Sequence, residues 1–151
     1  MIFDSIFSKF LILGVVFILL FFIFLAYSPY SNDRLYMDFV NQMRFLKELI
    51  VSNELGFERD DILKKVSSFF NVVNLDDGCV TLTSPYNTLI NVYLQDVLYV
   101  EVKTVSNEGF IPVKNIIDMD NFIDDGVPTT GLVKSVDGIY YSGCVILLKN
   151  R

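Results

Sequence analysis

The chain has 151 residues, 52% of them hydrophobic, no histidine and a formal charge of −6. That acidic balance argues against nucleic acid as a partner and against a surface laid along anionic lipid headgroups. Without histidine, and with two cysteines far apart in sequence, no metal site and no cofactor is expected.

Residues 10–27 form a run of 18 apolar or aromatic positions. As a helix the run spans about 27 Å, close to the hydrocarbon thickness of a bilayer. A secretory apolar region is usually shorter, about 7 to 15 residues. The cleavage chemistry is also poor: Phe24 spoils a cut after Ala26, and Pro29 follows Ser28. No cysteine follows the run, which excludes a lipoprotein anchor. We therefore read it as a retained membrane helix rather than a discarded signal. A core helix apolar on every side would need a large protein around it. Lys9 and the terminal amine against Asp4 lean toward an inside N-terminus. Tyr27 and Tyr30 suit the far interface, and Pro29 is expected to end or kink the helix. The expected organisation is a membrane helix with a short cytoplasmic N-terminus over residues 1–31, then one extracytoplasmic domain over residues 32–151. Such a protein sits in the inner, cytoplasmic membrane with a single pass.

Helices are expected over residues 33–72 and a sheet over 78–150. Leu35, Phe39, Met43, Leu46 and Ile50 recur at helical spacing, with Ser31, Asn32 or Asp33 as a start and Gly56 as an end. A third helix would begin at Asp60 and turn Ile62, Val66, Phe69 and Phe70 inward. From Cys79 the pattern has a period of two, and Gln95-Asp96 divides an antiparallel hairpin. Helical spacing returns at Val113, Ile116, Ile117, Met119 and Phe122, with Pro112 in the first turn. Residues 131–136 and 139–149 read as a last hairpin around Asp137-Gly138, a pair suited to a tight type I′ turn. Strands and helices in blocks predict an α+β fold: the membrane helix, amphipathic helices, then a small antiparallel sheet with an additional helix.

Catalytic chemistry is thin. Acid–base work would fall to a carboxylate. The pairs Asp60-Asp61, Asp76-Asp77 and Asp124-Asp125 read as ordinary turn composition. There is no phosphate loop or nucleophile elbow, so no enzyme is expected. Asp118, Asp120, Asn121, Asp124 and Asp125 are hard oxygen ligands of the kind Ca²⁺ takes. Phe122 and Ile123 break the EF-hand pattern, and a solvated helix end is the preferred reading. In an oxidising compartment Cys79 and Cys144 can pair. Closing that loop would stabilise the fold by roughly 4 kcal/mol. The alternative is two buried free thiols. Tyr93, Tyr99, Tyr140 and Tyr141 fall on expected strands, where they either pair across the sheet or bury an apolar face against a neighbour.

The layout resembles a type IV pilin-like subunit, closest to the type IVb class. Three stretches carry the resemblance: SKFLILGVVFILLFF, TSPYNTLINVYLQDVLYVEVKTVSNEGF and YYSGCVILLK. They are similar to the end of a prepilin leader with its apolar shaft, to a Pro-aromatic turn with a strand pair, and to a last strand holding a closing cysteine. The resemblance implies prepilin cleavage between Gly14 and Val15. It also implies packing of residues 15–27 against sister helices, with Val16, Leu19, Leu20 and Ile23 in the contact. Leu19 stands where such subunits usually carry glutamate, a departure that resembles a minor or priming subunit of a pilus (fimbrium) or secretion-system filament. Other filament subunits would be the partners, and the protein would reach a surface filament. The alternative function is a single-pass anchored accessory protein whose outer domain binds another envelope protein, as a homo- or hetero-oligomer.

Overall fold

The computed structural model describes residues 2–53, 58–95 and 97–149, apart from the side chains of residues 2–4, 28–30 and 53. The chain divides into two compact units, Met1–Leu35 and Tyr36–Arg151. Helix α1 covers Ile2–Asn53 and supplies residues to both. The remaining elements are α2 (Arg59–Phe69), β1 (Val72–Asp76), β2 (Cys79–Thr83), β3 (Leu89–Leu94), β4 (Leu98–Lys103), α3 (Val113–Ile123), β5 (Val133–Ser135) and β6 (Val145–Lys149). The fold is α+β.

The helix continues through Pro29, so the expected end there does not occur and the two expected helices are one. Proline costs a helix interior one hydrogen bond and a steric clash, about 3 kcal/mol. Continuing the helix keeps the remaining backbone groups on either side of Pro29 paired. The expected ending at Gly56 lies outside the described residues, as does Asp96 of the expected β3–β4 turn. Helix α2 starts one residue before Asp60. Its cap position is Glu58, without a side-chain cap bond, and Asp60 and Asp61 sit in the first turn. There they favour the positive end of the helix dipole.

The sheet is antiparallel throughout, in the order β1-β2-β3-β4-β6-β5. Its register follows from the period of two. Val80 faces Val92, Val92 faces Val100, and Val100 faces Leu148, all on one side and all buried. That face shares a core with Phe39, Met43, Leu46 and Ile50 of α1, Ile62 and Val66 of α2, and Ile116, Met119 and Ile123 of α3. Each such side chain contributes about 1.5–3 kcal/mol by leaving water. Gln42, also buried on α1, donates from Nε2 to the Thr83 carbonyl at 3.2 Å and ties the helix to the sheet rim.

Four expectations change in detail. Strand β1 begins inside what reads as the tail of the third helix and runs on beyond it; it pairs with β2 through a two-residue turn at Asp77-Gly78, where Gly78 has φ +96°. Phe69 is exposed rather than turned inward. In α3 the buried face is Ile116, Met119, Asp120 and Ile123, while Phe122 points out. The last hairpin is not tight: β5 ends at Ser135 and β6 starts at Val145. Tyr140 and Tyr141 lie in the connecting loop, and Tyr140 is drawn inward by a hydrogen bond to Asp120 at 2.7 Å.

Candidate functional surfaces

The first surface is the apolar part of α1. Among the described residues one helix is long and apolar enough to cross a membrane, and none of its most apolar window is buried. Val16, Leu19, Leu20 and Ile23 recur at spacings of three and four, so they share one side of the helix. They are 45%, 56%, 57% and 63% exposed. The opposite side is equally apolar, with Leu11, Ile18 and Leu25 57%, 57% and 49% exposed. Gly14 and Val15 lie within the same helix, and no atom stands within 4 Å of where a Gly14 side chain would begin. A surface of this kind is stable only against lipid tails or other apolar helices.

The second surface is the face of the sheet opposite the helices. It is half-buried and mixed in polarity. Tyr93 and Tyr99 are direct partners across β3 and β4, and their rings stack with centroids 4.5 Å apart. Beside them runs a chain of side-chain bonds. Thr81 Oγ1 donates to Asn91 Oδ1 at 3.1 Å, Asn91 Nδ2 donates to Glu101 Oε2 at 2.9 Å, and the Tyr93 hydroxyl donates to the same oxygen at 3.3 Å. Desolvation raises the Tyr93 pKa, and the Glu101 charge adds to it. An open groove of about 410 Å³ lies alongside, lined by Tyr99, Glu101, Val136, Leu147 and Lys149. Its polar groups, Glu101 and Lys149, stand beside the apolar side chains of Val136 and Leu147.

The two cysteines are not brought together. Both are free thiols. Cys79 is on the half-buried face of β2, and Cys144, which precedes β6, is buried on the helix side. Strands β3 and β4 lie between β2 and β6, a separation of about 14 Å across the sheet. Bridged cysteines need Cα atoms within about 7 Å, so the expected disulfide does not form within this fold. Burial raises the Cys79 pKa, with the Asp76 and Glu101 charges adding to the effect, and the group rests as a thiol. Cys144 is held by Thr104, whose hydroxyl donates to the Cys144 carbonyl at 2.7 Å.

The acidic stretch at the end of α3 also differs from its expected place. Asp120 is not solvated but fully buried. The signal for this was in the spacing, since Asp120 follows Ile116 by one helical turn and precedes Ile123 by three residues. A second residue not singled out by sequence is Lys47, whose Nζ donates to the Ile123 carbonyl at the C-terminal end of α3. A cation there suits the negative end of the helix dipole.

Comparison with protein-family models, curated proteins and solved structures finds no match.

Proposed function

We propose that the protein is a pilin-like subunit, of the minor or priming kind, held in the inner membrane by α1 with its α+β domain outside. One observation carries this reading. A single helix supplies both a wholly uncovered apolar surface at its start and core residues of an antiparallel domain, Phe39 to Ile50, further along. That division of labour fits a subunit whose apolar helix exchanges lipid contacts for contacts with sister helices. Val16, Leu19, Leu20 and Ile23 would form the contact. Leu19 gives no carboxylate to pair with a neighbour's terminal amine, which suits a subunit present in few copies.

A second reading is supported by the sheet face around Tyr93 and Tyr99. A single-pass anchored accessory protein would use that face to hold another envelope protein.

The intact mass of the protein taken from its native membrane separates the two. A chain lacking residues 1–14 fits a processed pilin-like subunit. A full-length chain retains the anchor and overturns the filament reading. In a filament-forming host, Leu19→Glu should increase incorporation under the first reading and leave partner binding unchanged under the second.

A further inference from the structure

We propose that Asp120, Asp124 and Asp125 form a binding site for a hard divalent cation, Ca²⁺ above all. The inference is independent of the filament reading. It starts from the buried face of α3, which places Asp120 among Ile116, Met119 and Ile123. Its side chain is 0% exposed. Oδ2 accepts from the Tyr140 hydroxyl at 2.7 Å, and that hydroxyl is also 3.4 Å from the Val133 carbonyl. Oδ1 is buried and makes no hydrogen bond of ordinary geometry among the described residues, the Gly126 backbone N–H giving the carboxylate only weak support. A buried acceptor left unmade costs about 1–3 kcal/mol, and more when charged. An oxygen in that position is explained by something that binds it.

Asp124 and Asp125 supply the rest. One carboxylate oxygen from each of the three residues lies within 4.8 Å of the others. Ca²⁺ bonds oxygen at about 2.3–2.6 Å in flexible geometry, so a single ion bridges oxygens at any separation up to that limit, whereas Mg²⁺ demands near-ideal octahedral geometry and gives up its water reluctantly. The donors are all oxygen, which disfavours zinc and copper. Each flanking carboxylate is already oriented. Asp124 Oδ2 accepts from the Leu132 and Val133 backbone N–H groups. Asp125 accepts from the Val127 N–H at 2.9 Å and from the Thr130 hydroxyl at 2.6 Å. Gly131 makes the close approach of Asp124 feasible, because a Cβ there would stand 2.1 Å from Oδ2. Lys47 is the neighbouring cation, and it is engaged with the Ile123 carbonyl. The coordination sphere would be completed by water on the exposed Asp125 side. Ca²⁺ accepts six to eight ligands, so three carboxylates and solvent suffice for an affinity of about 10⁻⁴–10⁻³ M, the range of extracellular modules.

The test uses the full chain in detergent micelles, stripped with a chelator, and CaCl₂ as the probe. Calorimetric titration should show one site in that range, and Tm should rise with Ca²⁺ and saturate. MgCl₂ at the same concentrations should raise Tm less. Asp120→Asn changes a buried group that also holds Tyr140, so Asp125→Asn, an exposed position, is the decisive variant. Measured against its own metal-free Tm, it should weaken Ca²⁺ binding by about tenfold or more. No heat and no Tm shift at about 10 mM Ca²⁺ overturns the site. So does binding that Asp125→Asn leaves unchanged.

Discussion

Tyr93 on β3 and Tyr99 on β4 are direct cross-strand partners, and their rings stack with planes 15° apart. The stack sits near the end of the hairpin, one register position from the Leu94–Leu98 pair that closes it. It covers the hairpin on the side the helices leave open. Burial of Leu94 and Leu98 on the helix side and stacking on the other then hold the same two strands together.

Tyr93→Ala and Tyr99→Ala should therefore be non-additive. Cross-strand aromatic pairs are coupled by about 0.5–1 kcal/mol beyond their separate burial. A double-mutant cycle from urea unfolding of the micelle-held protein measures this term. A coupling of zero would mean the rings share a face without holding one another.

The cysteines make a second prediction. With Cys79 partly exposed and Cys144 buried, a maleimide should label Cys79 in the native protein and Cys144 only after unfolding. Intact mass should not change on reduction. Cys79→Ser and Cys144→Ala should add within about 0.5 kcal/mol, because the sites share no contact. The larger loss, about 1 kcal/mol or more, should belong to Cys144, whose removal leaves a cavity. A two-hydrogen mass shift on reduction would reverse the assignment and require a different strand arrangement.

A third concerns Gly109. A side chain there would stand 1.8 Å from the Tyr86 carbonyl oxygen. Tyr86 packs edge-on against Phe39 at 5.7 Å, and its hydroxyl accepts from Asn115 at 2.6 Å. Backbone and core are thus both fixed behind the contact, and neither gives way cheaply. Gly109→Ala should destabilise the domain by about 1–3 kcal/mol, the range for overpacking. Thermal unfolding of the variant checks it; an unchanged Tm would show that residues 106–109 shift freely.

The hairpin of β3 and β4 was legible because its apolar residues alternate, and alternation has only one stable outcome when a sheet has one buried face. Strand β1 was not legible, since all five of its residues are exposed and leave no buried-exposed rhythm. Residues 139–144 carry strand-like composition, but Tyr140 is committed to Asp120 and the backbone loops to allow it. Pro29 misleads as to where the helix ends, because one local penalty does not by itself stop a helix whose flanking residues continue it. For the sites, the apolar run could be read directly from composition. The burial of Asp120 could not, since an acidic residue is almost never fully buried unless paired. Its helical spacing from Ile116 pointed inward, and its charge pointed out.

The burial of Asp120 sets the last prediction. Desolvation raises its pKa; the Tyr140 hydrogen bond opposes this, and the Asp124 and Asp125 charges add to it. In the unfolded chain an aspartate titrates near about 3.9. Between that value and the higher folded value, the folded state holds the proton more tightly than the unfolded state. Stability from this group is therefore fully present below about pH 3.9 and is lost as pH rises through the folded pKa. Asp120→Asn cannot titrate and keeps the acceptor for Tyr140. The stability of Asp120→Asn relative to the unmodified protein should rise with pH across that window and level off above it. Urea unfolding of both chains in chelator, from about pH 3.5 to 8, measures the difference. The opposite slope would mean that Asp120 is ionised and paired in the folded state. With Ca²⁺ in place of chelator the rise should shrink, because the ion stabilises the carboxylate that burial penalises.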